Sequence, residues 1–201
     1  MKSMTESIRE FFIGSGINSL GQLFVMGLRD MYDAEKQLPG AIETMTRNAN
    51  ALQLQSTLDD IRTENLKHVG RIEKILMMMK SPLRGTTCEA VEGMVEEFEN
   101  VINKTSQPHI LDAALVYAAQ AIEHYKIARY GTLRAWAMEL EMPEATRLID
   151  QCLRDEKIAD ASLNKLAEET INHRAFMVNR RPGKGMFGGK EHDGSSSNLG
   201  F

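Results

Sequence analysis

Six side chains in this sequence stand where their neighbours should be buried: Glu35, Glu64, His68, Glu123, Glu156 and Asp160. Each interrupts a series of apolar residues spaced by three or four, and residues so spaced share one face of a helix. Glu35 falls in the series Phe24, Leu28, Met31, Leu38, Ile42, and Glu64 and His68 fall in Leu54, Leu58, Ile61, Ile72, Ile75. Glu123 lies between Ala119 and Ile127 in a series that continues to Tyr130. Glu156 and Asp160 lie among Ala145, Ile149, Cys152, Leu163 and Ala167.

Five carboxylates and one imidazole would then converge on one interior, and none of these stripes offers an inward lysine or arginine. An unpaired ion in a protein core costs several kcal/mol even after relaxation, so this reading requires cations. Carboxylate and imidazole suit hard transition-metal ions. Bundle-core di-iron and di-manganese sites take one Glu from each of two helices and a two-ligand motif from each of two others. Glu35 and Glu123 supply the single ligands, and Glu64 with His68 and Glu156 with Asp160 supply the pairs. The expectation is a carboxylate-bridged site for two metal ions, iron first and manganese as its rival, with oxygen or peroxide as small-molecule substrate. Both pairs are spaced by four, where the Glu-x-x-His motif of such enzymes is spaced by three.

Other reactive residues carry less. His124 is turned away from the Glu123 face, and Tyr130, two turns from Glu123, reads first as core packing. The thirteen methionines read as adaptable core filler. Cys88 and Cys152 read as reduced thiols. No phosphate-binding glycine loop, nucleophile elbow or clustered cysteine motif is present.

The elements that must position these residues are all helical. The 3.6-residue periodicity predicts helices over about 18–49, 53–80, 108–139 and 143–173, with a kink at Pro39 and a short amphipathic helix over 88–102 inside a long connection. Pro108 and Pro143 stand in first turns, where a missing N–H is harmless. Two hairpins of long helices joined by one long crossover predict an all-α, ferritin-like four-helix bundle. The expected organisation is an N-terminal extension over 1–17, the bundle over 18–174, and a glycine- and serine-rich, flexible C-terminal tail over 175–201. Hydrophobic residues at 42% suffice for a real core, and a net charge of −4 argues against nucleic acid or an anionic membrane as partner. Without a signal-peptide core or a membrane-length apolar run, a cytoplasmic location is expected.

The run Leu28-Arg29-Asp30-Met31-Tyr32-Asp33-Ala34-Glu35-Lys36-Gln37-Leu38, the segments Cys88 to Met94 and Glu123 to Leu133, and Asp155-Glu156-Lys157-Ile158-Ala159-Asp160 resemble the YciF-type bacterial stress proteins. The resemblance spans about residues 20 to 172 and implies a ferritin-like fold, dimerisation, a metal-binding core and a role in stress. It matches Glu35, Glu64, Glu123 and Glu156 to the family's inward glutamates, with Asp160 four residues on, while His68 stands where glutamine is expected. The expected function is a stress-associated metal protein that oxidises iron or consumes peroxide or oxygen. The alternative is a structural or interaction protein with a vestigial site.

Overall fold

The computed structural model describes residues 16–178. Helix α1 spans Leu20–Asn48, α2 Leu52–Met78, α3 Glu89–Lys104, α4 Pro108–Glu139 and α5 Pro143–Leu166. A π-helical turn, Ala167–Ile171, then leads into α6, Asn172–Met177. The long helices therefore fall where the apolar periodicity places them, and the described residues contain no strand. The expected extension over 1–17 and the tail over 175–201 lie almost wholly outside the described residues.

α1 pairs with α2 and α4 with α5, while α2 packs on α5 and α1 on α4. The connection from α2 to α4 carries α3, which lies against α4 and α1. This is the ferritin-like connectivity predicted from the helix lengths. α1 begins at Ser19, whose side chain accepts from the Gln22 N–H, and continues through Pro39 without stopping. Pro39 has no N–H for the carbonyl four residues earlier, which is that of Glu35.

Both helix-ending turns place a non-glycine residue in the left-handed region, Lys80 at φ 52° and Glu141 at φ 53°. Each turn is closed by a backbone bond back across five residues, Ser81 N–H to Leu76 C=O and Met142 N–H to Ala137 C=O. The crossover is tied down on α1. Cys88 N–H donates to Asp33 at 2.9 Å and Thr86 to Asp30 at 2.5 Å, and a Cβ on Gly85 would stand 2.7 Å from that of Asp33. Only glycine lets the strap approach so closely.

The core is divided along the bundle axis. One apolar cluster gathers Leu38, Ile42, Leu58, Ile61, Phe98, Ala119, Ile122 and Leu163. The other gathers Phe24, Leu28, Met31, Ile72, Tyr130, Leu133, Ile149 and Cys152. Between them, in chain order on every long helix, lie the buried polar residues Glu35, Asn65, His68, Glu123, Lys126 and Glu156. No helix among the described residues is long and apolar enough to cross a membrane.

Candidate metal centre

The polar layer receives Glu35 from α1, Asn65 and His68 from α2, Glu123 and Lys126 from α4, and Glu156 from α5, with Tyr130 of α4 beside it. Each of these residues keeps 1% or less of its exposure. His68 stands at its centre. Its Nδ1 is 2.9 Å from Glu156 Oε1 and 3.3 Å from Glu35 Oε1. A single ring nitrogen thus faces two carboxylates. The shorter approach is to Glu156, and the better-aligned one is to Glu35. Nε2 lies 3.3 Å from Asp155 Oδ2, and Asp155 in turn accepts from Arg71 at 2.5 Å. The Tyr130 hydroxyl donates to Glu35 Oε1 at 2.6 Å.

Lys126 closes the layer. Its Nζ donates to Asn65 Oδ1 at 2.8 Å and lies 2.8 Å from Glu156 Oε2, 3.7 Å from Glu123 Oε1 and 3.8 Å from Glu35 Oε1. This corrects the expectation that no cation points inward. The step from Glu123 to Tyr130 can be made through residue 126 or residue 127, and the backbone turns Lys126, not Ile127, into the core. The carboxylates are therefore partly compensated by the chain itself.

The protonation balance follows from that geometry. Burial pulls the Lys126 ammonium down, but Glu123, Glu156 and Glu35 together outweigh it and hold its pKa above the ordinary lysine value. Burial also lowers His68, yet hydrogen bonds and charge from Glu156 and Glu35 lift it to about 9. Glu156, although burial disfavours its charge, is held down to about 2 by Lys126, Glu123 and His68. Burial and its acidic neighbours push Glu123 well above the usual carboxylate range, with Lys126 acting against them.

Of the six residues singled out from the sequence, Glu35, His68, Glu123 and Glu156 meet in this layer. Glu64 stands at its rim, its side chain 37% exposed and bound to Lys67 Nζ at 2.6 Å. It still shares a cluster with His68 and Asp155, whose ligand atoms fall within 4.8 Å of one another. Asp160 pairs instead with His124 Nε2 at 3.2 Å. Asn65, Lys126 and Asp155 are the participants that periodicity missed. The first two occupy the other of two positions compatible with the same seven-residue step. Asp155 is adjacent to Glu156 and reaches His68 from the flank. Both cysteines are free thiols, as expected.

Glu35, His68 and Glu156 offer three buried ligand atoms within 4.8 Å of one another. Glu35 Oε2 and Glu123 Oε2 are buried without a hydrogen-bond partner, and unsatisfied buried acceptors are costly unless something fills them. Asp155 on Nε2 orients the ring with Nδ1 toward the carboxylates, as outer carboxylates do for metal-bound histidines. One imidazole among carboxylates is a donor set that fits iron or manganese.

The chain is 33% identical to the protein YciF of Escherichia coli over 160 residues, covering 79% of this chain and 96% of that one. The crystal structure of the E. coli stress protein YciF superposes with a TM-score of 0.74 at 33% identity, covering 78% of this chain and 99% of that chain. YcfI from Rhodopseudomonas palustris superposes with a TM-score of 0.73 at 35% identity, covering 76% and 98%. A two-domain Anabaena variabilis protein with a ferritin-like domain shares the fold at 17% identity and a TM-score of 0.54, covering 87% of this chain and 42% of that one. Residues 19–176 match the family described as a domain of unknown function, DUF892. With that match over most of its length and the E. coli relative beside it, this ferritin-like chain belongs to the DUF892 family.

Proposed function

We propose that the chain is a stress-associated protein whose bundle core binds transition-metal ions, iron first and manganese as rival, and that it oxidises ferrous iron or consumes peroxide or oxygen there. The observation that carries this reading is the buried trio Glu35, His68 and Glu156, with carboxylate lone pairs left unpartnered between two apolar clusters. A bound iron or manganese ion would supply the electron exchange with the oxidant. The chain's own residues hold the site. Tyr130 fixes Glu35 by donating to it, Arg71 and Asp155 fix His68, and the flanking clusters keep bulk water out.

Protein purified without chelator from iron- or manganese-supplemented cells is expected to carry at least about one ion per chain and to consume hydrogen peroxide. Glu156→Ala is expected to lose most of that metal and the peroxide consumption with it. A metal-free wild type, or a Glu156→Ala variant with unchanged metal content, contradicts the proposal. Lys126 favours a second reading, in which the self-compensated polar layer serves a structural protein. That reading predicts a melting temperature that does not move when metal is added.

A further inference from the structure

In the full dinuclear pattern of a helical bundle, two helices give one Glu each and two others give a Glu-x-x-His pair each. Here Glu35 and Glu123 are the single glutamates of α1 and α4. The inward pair on α2 is Asn65 and His68, spaced by three, so an amide stands where the pattern has a carboxylate. On α5, Glu156 is followed three residues later by Ala159, so the second imidazole is missing. The pattern has lost one ligand from each pair.

The lost carboxylate and the added cation are bonded to one another. Lys126 Nζ sits 2.8 Å from Asn65 Oδ1 and 2.8 Å from Glu156 Oε2, with Glu123 and Glu35 oxygens at 3.7 and 3.8 Å. Charge follows the same exchange. Four ionised glutamates balance two divalent ions, whereas the three buried glutamates here, once all ionised around a bound ion with His68 neutral, balance one divalent ion and one ammonium. We infer that the Lys126 ammonium fills the second cation position of the layer, so that the core takes a single metal ion, held by Glu35, His68 and Glu156. This rests on the metal reading proposed above and replaces the expected pair of ions with one.

The experiment is anaerobic loading of the full chain with Mn(II), followed by metal analysis and EPR. Wild type should bind one core ion with the EPR spectrum of an isolated Mn(II), and Asn65→Glu/Lys126→Ala should bind a second, exchange-coupled to the first. Two coupled ions in wild type overturn the inference and leave the metal reading standing. A folded double variant that still takes a single ion also overturns it. Wild type that takes no ion overturns the metal reading and the inference together. Should the double variant fail to fold, the wild-type stoichiometry and spectrum decide alone.

Discussion

Replacing Lys126 by methionine is expected to destabilise the metal-free protein by about 3–4 kcal/mol at pH 7. Removing one partner of a buried ion pair typically costs about 3–5 kcal/mol, because the other charge is left uncompensated. Glu156, whose Oε2 is 2.8 Å from the ammonium, loses that partner and keeps only the His68 ring, 2.9 Å from its other oxygen. It can escape by taking up a proton, and that route caps the penalty at about 1.4 kcal/mol for each pH unit above the ordinary glutamate value of about 4.3. The cost should therefore shrink to about 1 kcal/mol at pH 5. For a domain of this size the neutral-pH loss corresponds to a drop in melting temperature on the order of 10 °C. Thermal melts in EDTA at the two pH values read it directly. A penalty that is below about 1 kcal/mol at pH 7, or equal at both pH values, means that Lys126 does not neutralise the layer.

The second large effect is on stability against pH. His68 is held at about 9 in the folded state against 6.5 ordinarily, so the folded chain keeps a proton that the unfolded chain releases. A raised pKa contributes stability that is complete below about 6.5 and is lost as pH rises through about 9. The 2.5-unit difference amounts to about 3 kcal/mol. Glu156 acts in the opposite direction. Held at about 2 against 4.5, it contributes stability above about 4.5 that is lost as the pH falls towards 2. Glu123, whose raised pKa favours the folded chain at low pH, adds to the alkaline loss, so metal-free protein should weaken as the pH falls below about 4.5 and as it rises from about 6.5 to 9. His68→Gln should flatten the alkaline side. Metal affinity should run the other way, rising over the same window because the ring must lose its proton to bind an ion. Denaturant melts at a series of pH values test this, and equal stability of metal-free wild type at pH 6 and pH 9 contradicts it.

The helices and their connectivity were legible because the apolar stripes run for about six turns or more and the punctuating prolines at 108 and 143 mark helix starts. Glu35, Glu123 and Glu156 were legible because each lies in phase with several unambiguous core residues on both sides. The errors share one cause. Between Ile61 and His68, and between Glu123 and Tyr130, seven residues can be divided as three and four or as four and three. Residue type then decides the choice. A carboxylate preferred as a ligand selects Glu64 over Asn65, and an apolar residue preferred for the core selects Ile127 over Lys126. The packed bundle chooses the other division in both places, because Asn65 and Lys126 satisfy one another across the α2–α4 gap. Such a pairing depends on helix rotation and has no trace in either helix alone. The expected absence of an inward cation fails with it, while Glu35, His68, Glu123 and Glu156 still converge and Asp155 joins them through the His68 ring.

At the centre of the proposed function stands a metal ion held by Glu35, His68 and Glu156. The most direct test is a crystal structure of protein purified without chelator, with anomalous data collected on both sides of the iron and manganese edges. An anomalous peak is expected between His68 Nδ1 and the Glu35 and Glu156 carboxylates, at bonding distance from all three. A crystal of metal-replete protein with no peak there, or with its peak only at the Glu64 and Asp155 rim, contradicts it.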